Sequence, residues 1–277
     1  MKDRSQMTLA TFRKENEEIE KYIAKDPELS KLEIDTLDKY ILIMRLIDER
    51  TKNNFQGYVP GLSTAMGYWS IVYYATPEQE LKERRRKMIT IKGEDSRDFK
   101  ATLKDFNVNT QKRKIAKKYA DDIVETMAYN ANNAEKKKMI GLYIHSAAFQ
   151  IGKTYLANAI SNELADKKIN GVFVFAPSLV SQAREFKNLE SIMRELKECQ
   201  VLVIDDLGAE YRSEWFRLEV LMPVLQNRLS TNKLTIITSN YSLNELKSLY
   251  KQNTNPVDVD RLISRILELC RVIELDE

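Results

Sequence analysis

Ile151-Gly152-Lys153-Thr154 sets a glycine, a lysine and a hydroxyl in the order that wraps a phosphate chain. The glycine lets backbone N–H groups approach the oxygens, the lysine reaches the terminal phosphates, and the hydroxyl helps hold Mg²⁺. Such a loop needs a strand before it and a helix after it, because the helix N-terminus must face the anion. Both are legible: the apolar run "GLYIHS" ends at the loop, and "KTYLANAISNELADKK" has a helical pattern. The nucleotide-binding candidates are therefore Ala147, Ala148, Phe149, Gln150, Ile151, Gly152, Lys153 and Thr154.

The usual spacing, G-x-x-x-x-G-K-[ST], would put a glycine where Ala147 stands, and many loops of this kind carry another where Gln150 stands. If both positions require left-handed backbone, each side chain costs about 1–2 kcal/mol, and each ~1.4 kcal/mol is tenfold in affinity. A weakened site is expected rather than an abolished one. Some fifty residues downstream, "VLVIDD" ends an apolar strand in Asp205 and Asp206. A buried strand delivers one such carboxylate to Mg²⁺ and its neighbour to an attacking water. Two acids at a strand end also start turns, but the loop upstream favours the chemical reading.

The elements that must position these groups follow the same alternation. After the loop helix come the strand "GVFVFA", a helical stretch "SLVSQAREFKNLESIMRELKE", the strand "QVLVIDD", a helix near 214–229, the strand "KLTIITSN", helices near 242–250 and 258–268, and the strand "CRVIEL". Five near-continuous apolar strands separated by helices predict an α/β fold with a five-stranded parallel sheet covered on both faces. Residues 1–50 have apolar positions at three- and four-residue steps and predict short helices. A turn-rich, partly stranded segment follows, with Gly57, Pro60, Gly61 and Gly67 and the run Tyr68 to Tyr74. The charged stretch "KERRRKMITIKGEDSRD" then leads to a helix near 111–130, which divides the chain into a small, mostly helical N-terminal domain, 1–100, and an ATPase domain, 101–277.

Composition sets bounds on this reading. Of 277 residues, 43% are hydrophobic and 31% charged, as in ordinary globular proteins, and no run of about 20 apolar residues is present to span a bilayer. The charged N-terminus lacks a secretory signal, so the expected location is the cytoplasm. Cys199, Cys270 and His145 are too few for a structural zinc site, and the cysteines are expected to be buried thiols. A net charge of +3 does not by itself imply a polyanion partner.

With both phosphate motifs in place, "IDDLGAEYRSEWFRLEVLMPVLQNRL", "LTIITSNYSLNEL" and "RLISRILELC" resemble the AAA+ P-loop ATPases that load bacterial replicative helicases, the DnaI and DnaC type, and more distantly the IstB transposition helpers. The resemblance covers about residues 140–272. It implies ATP and Mg²⁺ as cofactors, Thr154 and Asp205 as Mg²⁺ ligands, Asp206 as the water-activating acid and Asn240 as the sensor beside the γ-phosphate. It also implies Arg265 as a finger reaching a neighbouring subunit's nucleotide, with Arg261 one turn away as helper. A polar Asn240 equally suits a strand cap, and Arg261 a surface ion pair. The implied partners are a hexameric replicative helicase, single-stranded DNA and further copies of the chain, with no membrane. Arg184, Lys187 and the run Gln111 to Lys118 are the basic candidates for tracking DNA. DnaI-type loaders usually carry zinc ligands in the N-terminal domain; no cysteine precedes Cys199, so Trp69, Tyr73 and Tyr74 are expected to hold that segment by packing. The implied function is an ATP-dependent helicase loader whose ATPase activity is weakened by the altered loop. A non-hydrolysing adaptor and an IstB-like transposition helper are the alternatives.

Overall fold

The computed structural model describes residues 8–52, 55–65, 67–92, 97–184, 189–210 and 213–277. They form two compact units, Met1–Leu81 and Lys82–Glu277. The first contains helices α1 (Leu9–Glu15), α2 (Glu17–Lys25) and α3 (Leu37–Lys52) and an antiparallel hairpin of β1 (Tyr58–Ser63) and β2 (Ser70–Ala75). Tyr40, Ile43, Leu46 and Ile47, spaced three and four apart on α3, are its buried stripe.

Burial in the hairpin corrects one expectation. Leu62, Trp69 and Ile71 pack on the α3 core, but Tyr73 and Tyr74 are 41% and 54% exposed. Tyr74 instead lies over Gly61, where an added Cβ would come within 2.6 Å of its ring, and Tyr73 lies against Phe55 with ring centroids 4.4 Å apart.

Helix α4 (Pro77–Met88) runs on into β3 (Ile89–Lys92), which joins the second unit's sheet. That unit continues with α5 (Gln111–Asn132), β4 (Gly141–His145), α6 (Lys153–Asp166), β5 (Gly171–Phe175), α7 (Ala176–Arg184), α8 (Leu189–Glu198) and β6 (Val201–Asp205). A π-helical stretch (Phe216–Leu221), α9 (Met222–Ser230), β7 (Leu234–Ser239), α10 (Leu243–Tyr250), α11 (Pro256–Leu269) and β8 (Cys270–Glu274) complete it. The sheet has six parallel strands in the order β3-β5-β6-β7-β4-β8, one more than the five expected. The addition, β3, is only four residues long and follows directly on a basic helix end, which hides its apolar character. Residues 82–100, grouped by the sequence with the N-terminal part, belong to the second unit.

Alternate residues on each strand serve opposite layers. Leu142 and Ile144 of β4 pack with α5 and α6, whereas Tyr143 between them packs with α7 to α11. Leu156, Ile160 and Leu164 on α6 are fully buried, each contributing about 1.5–3 kcal/mol by leaving water. Gly141 opens β4 because β7 passes so close that a Cβ there would sit 1.7 Å from the Thr235 carbonyl oxygen. The carboxyl ends of β4, β6 and β7 thus lie side by side at one edge of the sheet, where open α/β sheets bind ligands.

Candidate nucleotide site

The loop between β4 and α6 closes around its own lysine. Lys153 Nζ donates to the carbonyl oxygens of Ser146 at 3.1 Å and Ala148 at 2.8 Å. Burial lowers the Lys153 pKa, while Asp206 and then Asp205 act to raise it. The Ala148 N–H donates to Ser146 Oγ at 3.2 Å within the loop. Phe149, at the tip, is 76% exposed.

Backbone angles separate the two departures from the usual loop. Gln150 has φ 58° and Gly152 has φ 96°, both left-handed, whereas Ala147 is not among the residues with positive φ. Only Gln150 therefore bears the strain anticipated for both. That strain belongs to the folded chain, so it lowers the stability of the fold. Gln150→Gly is expected to raise the unfolding free energy by about 0.5–1 kcal/mol, the relief of left-handed strain less the added chain freedom. ATP affinity should stay within about twofold of the parent, which is under 0.5 kcal/mol. Chemical denaturation and calorimetric titration of the two proteins check both halves; a large gain in affinity would show that the loop rearranges on binding.

The acids at the carboxyl end of β6 and just beyond it line the same cavity as the loop. Asp205 is 2% exposed, and its Oδ1 accepts from Thr154 Oγ1 at 2.9 Å and from Thr238 Oγ1 at 2.7 Å. Asp206 also adopts a left-handed backbone, φ 61°, held by its own N–H donating to Thr238 Oγ1 at 2.9 Å. Its Oδ1 accepts from Asn240 Nδ2 at 2.8 Å. Burial first, then the neighbouring Asp205, raise the Asp206 pKa, and Lys153 opposes them. A carboxylate pushed up in this way accepts a proton more readily than an exposed one. The turn beyond it is pinned by Glu210, which accepts from the Gly208 N–H at 2.5 Å and from the Tyr250 hydroxyl.

A cavity of about 380 Å³ lies between loop and acids, lined by Gln150, Lys153, Thr154, Asp205, Asp206 and Asn240 among others. It falls within the ~300–1,000 Å³ usual for small-molecule sites. Phe149, Ile151 and Gly152 also line it, whereas Ala147 and Ala148 do not. Arg261 and Arg265 are elsewhere, in a separate groove of about 460 Å³ with Leu218, Met222 and Pro223. Their guanidinium groups pair with Asp258 at 3.2 Å and Glu268 at 2.7 Å.

Of the DNA candidates, Arg184 ends α7 but its side chain, like the whole of Lys187, lies outside the described residues. In the basic run that opens α5, Arg113 is buried at 7% exposure, Lys112 pairs with Glu274 and Lys117 with Asp121. Thr238 was missed from the sequence, although a hydroxyl two residues before Asn240 in an apolar strand was the available signal. Arg113 and Glu210 gave no such signal, because partners far along the chain define them.

Comparison with known proteins agrees with this geometry. Residues 60–277 match the family described as IstB-like ATP binding protein. Over its whole length the chain is similar, at 31% identity, to the replicative helicase loader DnaI of Bacillus subtilis (strain 168), covering 89% of that protein. A crystal structure of DnaI superposes with a TM-score of 0.58 at 32% identity, covering 70% of this chain and 97% of that one. A crystal structure of the DnaC helicase loader shares the fold, with a TM-score of 0.50 at 24% identity over 64% of this chain and 97% of that one.

Proposed function

Because the chain belongs to the IstB-like ATP-binding family, we propose that it is an ATP-dependent loader that binds the replicative DNA helicase and helps place it on single-stranded DNA. Similarity to DnaI that extends through the N-terminal residues favours a loader over a transposition helper sharing only the ATPase part. The single observation that carries the ATP dependence is the convergence of Lys153, Thr154, Asp205, Asp206 and Asn240 on one cavity.

In this reading the triphosphate lies along the loop, against the amides at the start of α6 and the Lys153 ammonium. Thr154 Oγ1 and Asp205 are hard oxygen donors already within hydrogen-bonding distance of each other, a set that suits Mg²⁺. That ion, when bound, neutralises charge on the phosphates. Asp206 accepts the proton of the attacking water, and Asn240 fixes both the carboxylate and the approach to the γ-phosphate. Arg265 of one subunit completes the site of the next, which makes self-association part of the mechanism. Lys112, Lys114 and Lys118, exposed on α5, supply positive charge for a DNA backbone.

A non-hydrolysing adaptor is favoured by one observation, the Lys153 ammonium held by two loop carbonyls. The test measures ATP turnover by the full chain with a hexameric replicative helicase and single-stranded DNA. A loader shows turnover raised by at least about tenfold over the chain alone, the equivalent of 1.4 kcal/mol in barrier. Stable helicase capture without turnover establishes the adaptor instead, and capture of a transposase in place of helicase establishes the transposition helper.

A further inference from the structure

Arg113 stands in the first turn of α5, where the helix dipole disfavours a cation, and it is nonetheless buried. A buried guanidinium persists only when its donors are met. Here Nε donates to the Asn107 carbonyl, six residues back, at 2.8 Å, and Nη1 donates to the carbonyls of Ile151 at 2.9 Å and Asp276 at 3.0 Å, both far along the chain. The Phe106 ring lies under the guanidinium, its centroid 4.9 Å from Cζ. Nη2 lies 3.5 Å from where a Cβ on Gly152 would be, so arginine and glycine fit closely together.

The Ile151 carbonyl belongs to the same peptide unit as the Gly152 N–H. In a planar trans peptide these two groups point in opposite directions, and the chain has no cis peptide bond among its described residues. Whatever holds the carbonyl away from the cavity thereby aims the N–H into it. That N–H is the first of the α6 terminus and has no acceptor among the described residues.

We infer that Arg113 is a positioning residue for the anion site: by holding the Ile151 carbonyl on the side of α5, it turns the Gly152 N–H toward a bound pyrophosphate or triphosphate. The inference rests on the ATP-site reading above. It assigns to a residue outside the loop the orientation that Gln150, with its side chain, no longer leaves to a second flexible glycine. Charge is secondary to direction, since a lysine at 113 keeps the charge but cannot bridge three carbonyls with a planar fork.

The test uses the full chain labelled with ¹⁵N-glycine, whose eight glycines give a sparse spectrum, titrated with ATP and separately with inorganic pyrophosphate. In the parent protein the Gly152 amide resonance shifts on saturation with either ligand. Arg113→Ala and Arg113→Lys are each expected to weaken ATP binding by about tenfold or more, with the Gly152 shift at saturation reduced by more than half. The other glycine resonances report whether the fold is intact; should the alanine variant lose them, the lysine variant decides. The inference is overturned if Arg113→Lys binds ATP as the parent does with an unchanged Gly152 shift, because charge alone then suffices. It is likewise overturned if both variants match the parent. A parent protein that binds no ATP defeats the underlying site reading instead, and does so before any variant is compared.

Discussion

Lys153→Ala is expected to weaken ATP binding by about 100-fold or more while the protein stays folded. The ammonium lies at the start of α6, inside the loop, with Asp205 and Asp206 close enough to act on its titration. In the proposed site a bound triphosphate would exchange the carbonyl oxygens of Ser146 and Ala148 for phosphate oxygens, and bonds between charged groups are worth about 1.5–3 kcal/mol each. Alanine removes them all. The fold loses less, because the two carbonyl bonds lost are offset by relief from burying a cation that is 8% exposed. Calorimetric titration and thermal unfolding of the same preparation check both statements, and a folded variant with parental affinity would remove the lysine from the site. The variant should also raise the Asp206 pKa further, since Lys153 is the group that opposes burial and Asp205 there.

The parts of this architecture that were legible in the sequence are those whose signal is local. A strand buried on both faces shows as an unbroken apolar run, as in "VLVID", and a phosphate loop shows as a fixed spacing of a few residues. Hence β4 to β8, the loop and the two acids could be found without coordinates. What stayed hidden depends on partners far away in the chain. Arg228 is fully buried with its guanidinium bonded to Thr235 and to the carbonyls of Leu196, Cys199 and Leu234, yet nothing in "LQNRLS" separates it from a solvated charge. Arg85 is the same kind of case, with two bonds to Asp166 at the end of α6. So is Arg97, which meets Asn158 and Asn162 on the inner face of that helix. Each is one more charge by composition, but Arg228 ties β7 to the end of α8, and Arg85 and Arg97 hold α6 in place. Backbone angle was hidden too: a missing glycine at Ala147 and one at Gln150 look equivalent in sequence, and only the second position is left-handed.

The remaining distance is between the assembled cavity and the two arginines of α11, which one chain keeps in different places. Arg265→Ala is therefore expected to leave ATP affinity unchanged and to lower helicase- and DNA-stimulated turnover by about 10³-fold, the low end of what an arginine finger supplies. The side chain's present partner is Glu268, three residues along the same helix and itself half exposed. Such a pair is worth at most about 1 kcal/mol, so the fold does not depend on it and the arginine is free to leave. Arg261, more exposed at 69% and paired with Asp258, should show a smaller loss when replaced. Equal turnover by Arg265→Ala and the parent would end the finger assignment. The sharper measurement mixes two inactive proteins, Arg265→Ala and Lys153→Ala. Where an Arg265→Ala subunit meets a Lys153→Ala neighbour, the first contributes an intact loop and the second an intact arginine, so turnover should return on mixing. If each arginine serves its own subunit's nucleotide, every site in the mixture still lacks one of the two groups, and no activity is recovered.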